Sequence, residues 1–301
     1  MGCIYVSPSQ KQELAAGRLS GQVSLLRCPV CREPLHVAGG KSLICQQKHT
    51  FDISKYGYVN FLRKPIETKY GNALFTSRAE VSRSGWFAPL TGRISAMLLE
   101  TLPNQRRGLS LLDAGCGEGS HLAAIAEQIS ALSDQQVTGV GLDISKEGIA
   151  LAAKRHSGLT WFVANLAESP LSDRSFDGVL NILSPSNYGE FHRVLTQGGL
   201  LVKVIPGPDY LRELRELLHP GSRKESSLEA ETRHRLQNLF RLEESSRLTY
   251  RREVQPPLLE HLIAMTPLSW GADSEARRKA AKLDRLTVTV DLILLIGRKR
   301  S

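Results

Sequence analysis

The sequence predicts an α/β fold, a parallel sheet wound on both faces by helices, with a small metal-binding module ahead of it. Three observations lead there. Three cysteines and His49 cluster in CPVCREPLHVAGGKSLICQQKH, residues 28–49. A glycine-rich turn, DAGCGEG (113–119), follows an apolar stretch and opens a helical pattern. Beyond it, strand-like and helix-like stretches alternate to the end of the chain. At 301 residues, 41% hydrophobic and 23% charged, the chain suits one large soluble domain plus a small one. No apolar run approaches the roughly 18–20 residues that span a bilayer. The first 26 residues lack the apolar core and cleavage site of a secretion signal. The expectation is a cytoplasmic protein without a membrane partner.

The elements follow in order. Residues 1–26 carry no motif and are expected to be an extension, either disordered or an artefact of the assigned start. Residues 27–64 form the metal module. Cys28, Cys31, Cys45 and His49 have the spacing C-x2-C-x13-C-x3-H. Zinc takes four tetrahedral nitrogen or sulfur ligands, and a C-x2-C knuckle supplies two from one turn. Gly39-Gly40 allows the chain to reverse between the two half-sites. Five cysteines, three of them clustered, fit metal ligation in a reducing compartment better than a disulfide framework. Four protein ligands leave no open position, so the zinc is expected to be structural, and so short a module would owe much of its folding to it.

Charge is uneven. The net charge is +9, and residues 27–93 hold eleven Lys/Arg against four Asp/Glu, a net +7. Either this is a solvated basic face or it meets a polyanion; localised positive charge favours the second. Residues 65–89 are expected to connect the module to the main domain, 90–301.

In that domain LSLLDA is a strand, and the helix after the turn buries Leu122, Ile125, Ala126 and Ile129. Gly115, Gly117 and Gly119 permit unusual backbone angles and close approach of a ligand. VTGVGLD (137–143) is the next strand, and Asp143 at its end is placed to take both hydroxyls of a ribose. A dinucleotide would want G-x-G-x-x-G. Here the spacing is G-x-G-x-G, with Asp113 before it and Glu118 inside it. Two carboxylates oppose a pyrophosphate but suit a ligand with an amino group and a sulfonium, S-adenosylmethionine. The pattern marks a class I S-adenosylmethionine-dependent methyltransferase with a doubly wound, Rossmann-like sheet. SKEGIALAAKRH (145–156) is a helix capped by Ser145. LTWFVANL (159–166) is a strand ending at Asn165 and Leu166, where an adenine would lie. FDGVLNIL (176–183) is a strand leading into SPSN (184–187), at the edge where substrate chemistry belongs. EFHRVLTQGG (190–199) is a helix with a glycine stop, and LLVKVIP (200–206) the fifth strand. Segment 212–252, ten Lys/Arg with seven acids, is expected to be an exposed helical insertion, and 285–299 a terminal strand or hairpin.

The chain from about residue 27 onward resembles the bacterial 23S rRNA (guanine-N1) methyltransferases of the RlmA type, related to tylosin resistance. The matching stretches are CPVC…LICQQKHTFDISKYGYVNFL, LLDAGCGEGSH, GLDISKEGIALAAKR, PGPDYLREL and AMTPLSW. The resemblance implies methyl transfer to N1 of one guanine in a domain II hairpin loop of 23S rRNA. It implies a zinc module that recognises RNA, and membership of a group with a part in macrolide resistance. It also adds Phe87, His121, Leu122 and Leu211 to the cofactor contacts. For Phe87 and Leu122 plain core packing is the alternative, and for His121 a capping or surface role. Tyr56, Tyr58, Trp86 and Phe87 are candidates for base stacking; for the two tyrosines the alternative is the core of the module. Arg78 and Arg83 are candidates for phosphate contacts. No residue announces itself as the acceptor of the N1 proton, and a homodimer stays open. Two other functions remain, a methyltransferase for a small molecule or protein and a non-catalytic RNA-binding protein. The +7 segment argues against the first and the intact glycine motif against the second.

Overall fold

The computed structural model describes residues 7–66, 71–102, 108–221 and 227–300. The first element of the described residues is helix α1 (Pro8–Gln22), where the sequence suggests only an extension. A capping box starts it: the Ser7 amide donates to Gln10 Oε1 (2.8 Å), and the Gln10 amide to Ser7 Oγ (3.3 Å). Ala15, Ala16 and Leu19 bury its inner face. Then come three short antiparallel strands, β1 (Leu35–Ala38), β2 (Ser42–Cys45) and β3 (Thr50–Asp52). Gly39 and Gly40, both at positive φ, make the turn between the first two. Strand β4 (Val59–Asn60) leaves this ribbon and pairs in parallel with a strand of the main sheet.

Helices α2 (Asn72–Arg83) and α3 (Ala88–Thr101) lead to β5 (Leu109–Ala114), α4 (Ser120–Leu132), β6 (Val137–Asp143), α5 (Lys146–Arg155) and β7 (Thr160–Val163). The chain continues through β8 (Phe176–Ile182), α6 (Tyr188–Val194), β9 (Leu195–Pro206), α7 (Arg212–Leu218), α8 (Ser227–Gln237), β10 (Phe240–Val254), α9 (Leu258–Met265), α10 (Ser274–Ala281) and β11 (Leu286–Lys299). The main sheet has eight strands in the order β10-β11-β9-β8-β5-β6-β7-β4. β4 through β9 run parallel, and β11 lies antiparallel between β9 and β10. This is the doubly wound sheet predicted from the alternating elements; the chain's last strand, β11, joins it as predicted but lies inside the edge strand β10 and does not close it.

Three further segments differ from the sequence reading. Residues 195–199 begin β9 instead of ending a helix: Leu195 is buried and pairs with Phe176, and Gly198 takes a positive φ inside the strand. The last third of the expected helical insertion 212–252 belongs instead to the edge strand β10, 240–254. Between its buried ends, exposed residues alternate with half-buried ones in strict two-residue period, the pattern of a strand with one wet face. Residues 71–89, expected as a connector, hold α2, which packs against α9 and α5; residues 67–70 lie outside the described set.

Two buried cores lie on opposite faces of the sheet. One joins α3, α4, α5 and α9 to Leu111, Trp161, Val202 and Val204. The other joins Leu19, Cys28, Leu35, Leu43 and Phe61 to Leu112, Leu142 and Phe162. The metal module and α1 therefore cover one face of the main sheet in the way helices usually do. Phe61 stands between Phe51 and Phe162, with ring centroids 4.9 and 5.4 Å away. Phe61→Ala is expected to cost about 3–5 kcal/mol in denaturant unfolding of the metal-loaded chain. A loss under about 1 kcal/mol would show that the module does not share the core of the sheet. Among the described residues no helix is long and apolar enough to cross a membrane.

Candidate functional site

Two knuckles present the four predicted metal ligands. In the first, the Arg32 amide donates to Cys28 O (2.8 Å) and Arg32 is left-handed at φ +64. In the second, the Lys48 amide donates to Cys45 O (2.9 Å), and Lys48 is left-handed at φ +62. Each turn aims two side chains at one point. The Sγ atoms of Cys31 and Cys45 are 3.6 Å apart, and His49 Nδ1 lies 3.6 Å from Cys28 Sγ and 3.3 Å from Cys45 Sγ. All four ligand atoms fall within 4.8 Å of one another. Tetrahedral zinc with bonds of about 2.3 Å to sulfur and about 2.0–2.1 Å to nitrogen requires separations of about 3.6–3.8 Å. The donor set and its closeness fit zinc, which Cys28, Cys31, Cys45 and His49 would hold with no open position.

The glycine turn after β5 lies between two clefts that meet at Gly115, Leu183–Ser186 and Arg78. One, about 390 Å³, is lined by Asp143, Asn165 and Leu166, the predicted ribose and adenine contacts. The other, about 430 Å³, is lined by Phe87, Glu118, His121 and Leu211, with Lys203 and Tyr210. A ligand with a nucleoside at one end and an amino acid at the other would span the junction at Gly115. There φ is +83, and a Cβ would stand 1.9 Å from Ser184 Oγ.

The electrostatics suit a cation. Asp113 Oδ2 and Glu118 Oε1 are buried without a hydrogen-bond partner. Burial, with the neighbouring charges of Asp143 and Glu118, pushes the Asp113 carboxyl up to about 8. Burial raises Glu118 too, against the opposing pull of Arg78. Asp143 is raised by burial, although its oxygens accept from the Gly117 and Ser145 amides, both at 2.8 Å. Glu118, opposed only in part by Arg78, lines one cleft, and Asp113, which lines neither, adds its negative charge to the same site; the amino and sulfonium groups of S-adenosylmethionine would offset both. The residues fit that cofactor.

Asp113 and Glu118 hold protons to higher pH than free carboxyls, and a bound cation favours their ionised forms. Cofactor binding should therefore release protons at neutral pH, and the release should fade once pH passes about 8, where Asp113 is already ionised. Calorimetry in two buffers of different ionisation heat checks this. Identical heats at pH 7 would show that the carboxyls do not sense the ligand.

The predicted residues do not all reach the clefts. Phe87 and His121 meet edge to face across 4.9 Å, and burial lowers His121 to about 4, so its imidazole is neutral. Leu211 enters the cleft on a left-handed backbone at φ +53. Leu122, by contrast, is fully buried in the core. Gly119 serves packing: a Cβ there would stand 2.4 Å from the Trp161 ring. Gly117 lines neither cleft, but its amide fixes Asp143 and a Cβ would meet Arg78 and Phe75. Of the stacking candidates, Tyr58 and Trp86 are core residues, and Tyr56 lies under the ammonium groups of Lys55 and Lys154. Arg78 lines both clefts, whereas Arg83 pairs with Glu80 at the surface. Asn187 caps α6, accepting from the Glu190 amide (3.1 Å). Sequence reasoning missed Lys203, whose only visible mark is a cation inside the apolar strand LLVKVIP.

Comparison with known proteins covers both parts. Residues 26–71 match the zinc-ribbon family described as RlmA, N-terminal, and residues 111–199 match a methyltransferase domain family. YxjB of Bacillus subtilis, which bears a 23S rRNA (guanine-N1) methyltransferase name, is 41% identical over 278 residues, 92% of this chain and 98% of its own length. The 23S rRNA (guanine(748)-N1)-methyltransferase of Streptomyces fradiae is 32% identical, over 87% of this chain and 91% of its own. A Micromonospora griseorubida protein with a 23S rRNA (guanine-N1) methyltransferase name is 30% identical, over 88% and 94%.

Proposed function

As the chain belongs to the RlmA-type 23S rRNA (guanine-N1) methyltransferase family, we propose that it methylates N1 of one guanine in a domain II hairpin loop of 23S rRNA. It would act in the cytoplasm on RNA presented by its zinc module. The observation that carries this reading is the attachment of a basic metal module to the cofactor-binding sheet. β4 extends that sheet beside β7, and Asn165, just beyond β7, lines the cofactor cleft. The exposed cations Lys41, Lys48, Arg63 and Lys64 thus sit on the same rigid body as the reacting centre, where they would hold phosphates and position the RNA.

Bound S-adenosylmethionine supplies an activated methyl group. The protein's work is alignment. Asp143 would orient the ribose, Glu118 and Asp113 would offset the positive charge, and Phe87 with His121 would wall off water. The loop 183–187 faces the acceptor, and a loop guanine can leave its stack to reach it.

The test is transfer of labelled methyl from S-adenosylmethionine to transcribed 23S rRNA fragments, with digestion to nucleosides. The expected product is 1-methylguanosine from a domain II fragment alone. Label in another nucleoside, or in none, would overturn the reading.

A further inference from the structure

Lys203 lies in the apolar strand β9, 4% exposed, opposite Asn181 of β8. Its ammonium donates to Asn181 Oδ1 and to the Ser184 carbonyl, each at 2.6 Å. Both acceptors are neutral. Asn181 completes the arrangement. Its Nδ2 donates to Ala114 O (2.8 Å) and Pro185 O (3.0 Å), and its Oδ1 also accepts from Ser186 Oγ (2.9 Å). The end of β5 and the loop 184–186 are thereby tied to one buried cation that borders the larger cleft.

A buried charge without an ionic partner is costly, and a leucine or methionine would serve the strand better. Two of the three ammonium hydrogens are used within the protein, and the residue still opens onto the cleft. Burial draws its pKa down to about 8, so the charged form is the one present at neutral pH. The other titratable or charged groups lining this cleft are Arg78, Cys116, Glu118, His121, Tyr188, Tyr210, Glu231 and Arg235, none hydrogen-bonded to it.

We propose that Lys203 is a catalytic residue for the acceptor base: its ammonium donates to O6 of the guanine and stabilises the negative charge O6 acquires as N1 gives up its proton. This role rests on the guanine-N1 reading above. The N1 proton passes to water, and the electron pair it leaves forms the nitrogen–carbon bond. The carbon–sulfur pair returns to sulfur, leaving a neutral thioether. A cation at O6 makes the N1 proton easier to lose, as a donor aimed at a developing oxyanion does in acyl transfer.

The experiment measures single-turnover methylation of a domain II hairpin transcript from pH 6 to 10 by the zinc-loaded enzyme and its Lys203→Met and Lys203→Arg variants. Cofactor affinity is measured beside it. Lys203→Met is expected to be slower by about 100-fold or more at pH 7, the usual loss for one such donor. The deficit should shrink toward pH 10, where guanine ionises unaided and the lysine is itself discharged. Lys203→Arg should recover most of the rate at pH 7; because Lys203 also borders the cofactor junction, rates are compared at saturating cofactor, so that a change in its affinity does not enter them. A deficit equal at every pH would mark a structural lysine, and an unchanged rate would mark an idle one; either overturns the role. A Lys203→Arg profile matching Lys203→Met would point to a neutral amine as proton acceptor and overturn the fixed cation. A wild-type enzyme that makes no 1-methylguanosine would overturn the guanine reading itself, and this role with it.

Discussion

A chain carrying Cys28→Ser and Cys31→Ser is expected to lose its zinc and its 23S rRNA methylation together. Two of four ligands would be gone, and structural zinc contributes roughly 10–16 kcal/mol of apparent folding free energy in isolated zinc-finger peptides. The damage would not stop at the module. Cys28 is wholly buried in the same core as Phe61, Leu112 and Phe162, and β4 forms the edge of the main sheet. Metal analysis should fall from one zinc per chain to none, and methylation of the RNA fragment by more than about 100-fold, on the scale of losing several phosphate contacts at once. Cofactor affinity should drop less, because Asp113, Glu118 and His121 lie outside that core. A variant that lost its metal yet methylated RNA at the normal rate would reduce the module to an ornament.

Gly115→Ala should be nearly as harmful, and more local. At φ +83 any side chain meets about 1–2 kcal/mol of left-handed strain. Its Cβ would also stand 1.9 Å from Ser184 Oγ and 2.8 Å from Ser184 Cβ. The serine has little room to retreat, since Lys203 holds its carbonyl. Relief must come from opening the junction of the two clefts, where the cofactor would pass. With each 1.4 kcal/mol worth about tenfold, strain plus displacement corresponds to a loss of about 100-fold in cofactor affinity. Gly198→Ala is the control. It shares the positive φ, +73, but has nothing within 4 Å of its Cβ, so it should lower stability slightly and leave cofactor binding intact. Equal affinity losses in both variants would show that strain alone, and not the crowded junction, is at work.

Legibility followed the length over which a physical signal is written. The metal ligands were legible because three cysteines and a histidine seldom fall at that spacing unless a metal holds them together. The strands β5, β6 and β8 were legible as apolar runs ending in Asp143 or in a turn, and the cap of α5 as Ser145. β10 was hidden because its half-buried face, Leu242, Glu244, Ser246, Leu248, Tyr250 and Arg252, mixes charged and apolar residues and so lacks an apolar stripe. α1 was hidden although S-P-S-Q carries its capping box, because its apolar residues are only Leu14, Ala15, Ala16 and Leu19 and its partners lie far along the chain. Leu122 and Gly119 show a different limit. A motif fixes which residues surround a ligand, but the one-residue steps of a helix decide which of them face it. Lys203 could be noticed as an oddity, yet its partners Asn181 and Ser184 come from the neighbouring strand and loop, and only the fold brings them together.

A cation-relieving glycine turn and a zinc-held basic module would thus act as one enzyme on ribosomal RNA. Mass mapping of 23S rRNA from cells with and without this protein puts that to the test in a single comparison. One guanine in domain II should carry a methyl group on N1 in the first and lack it in the second, with re-expression of the wild-type chain restoring it. An identical set of methylated nucleotides in both would contradict it.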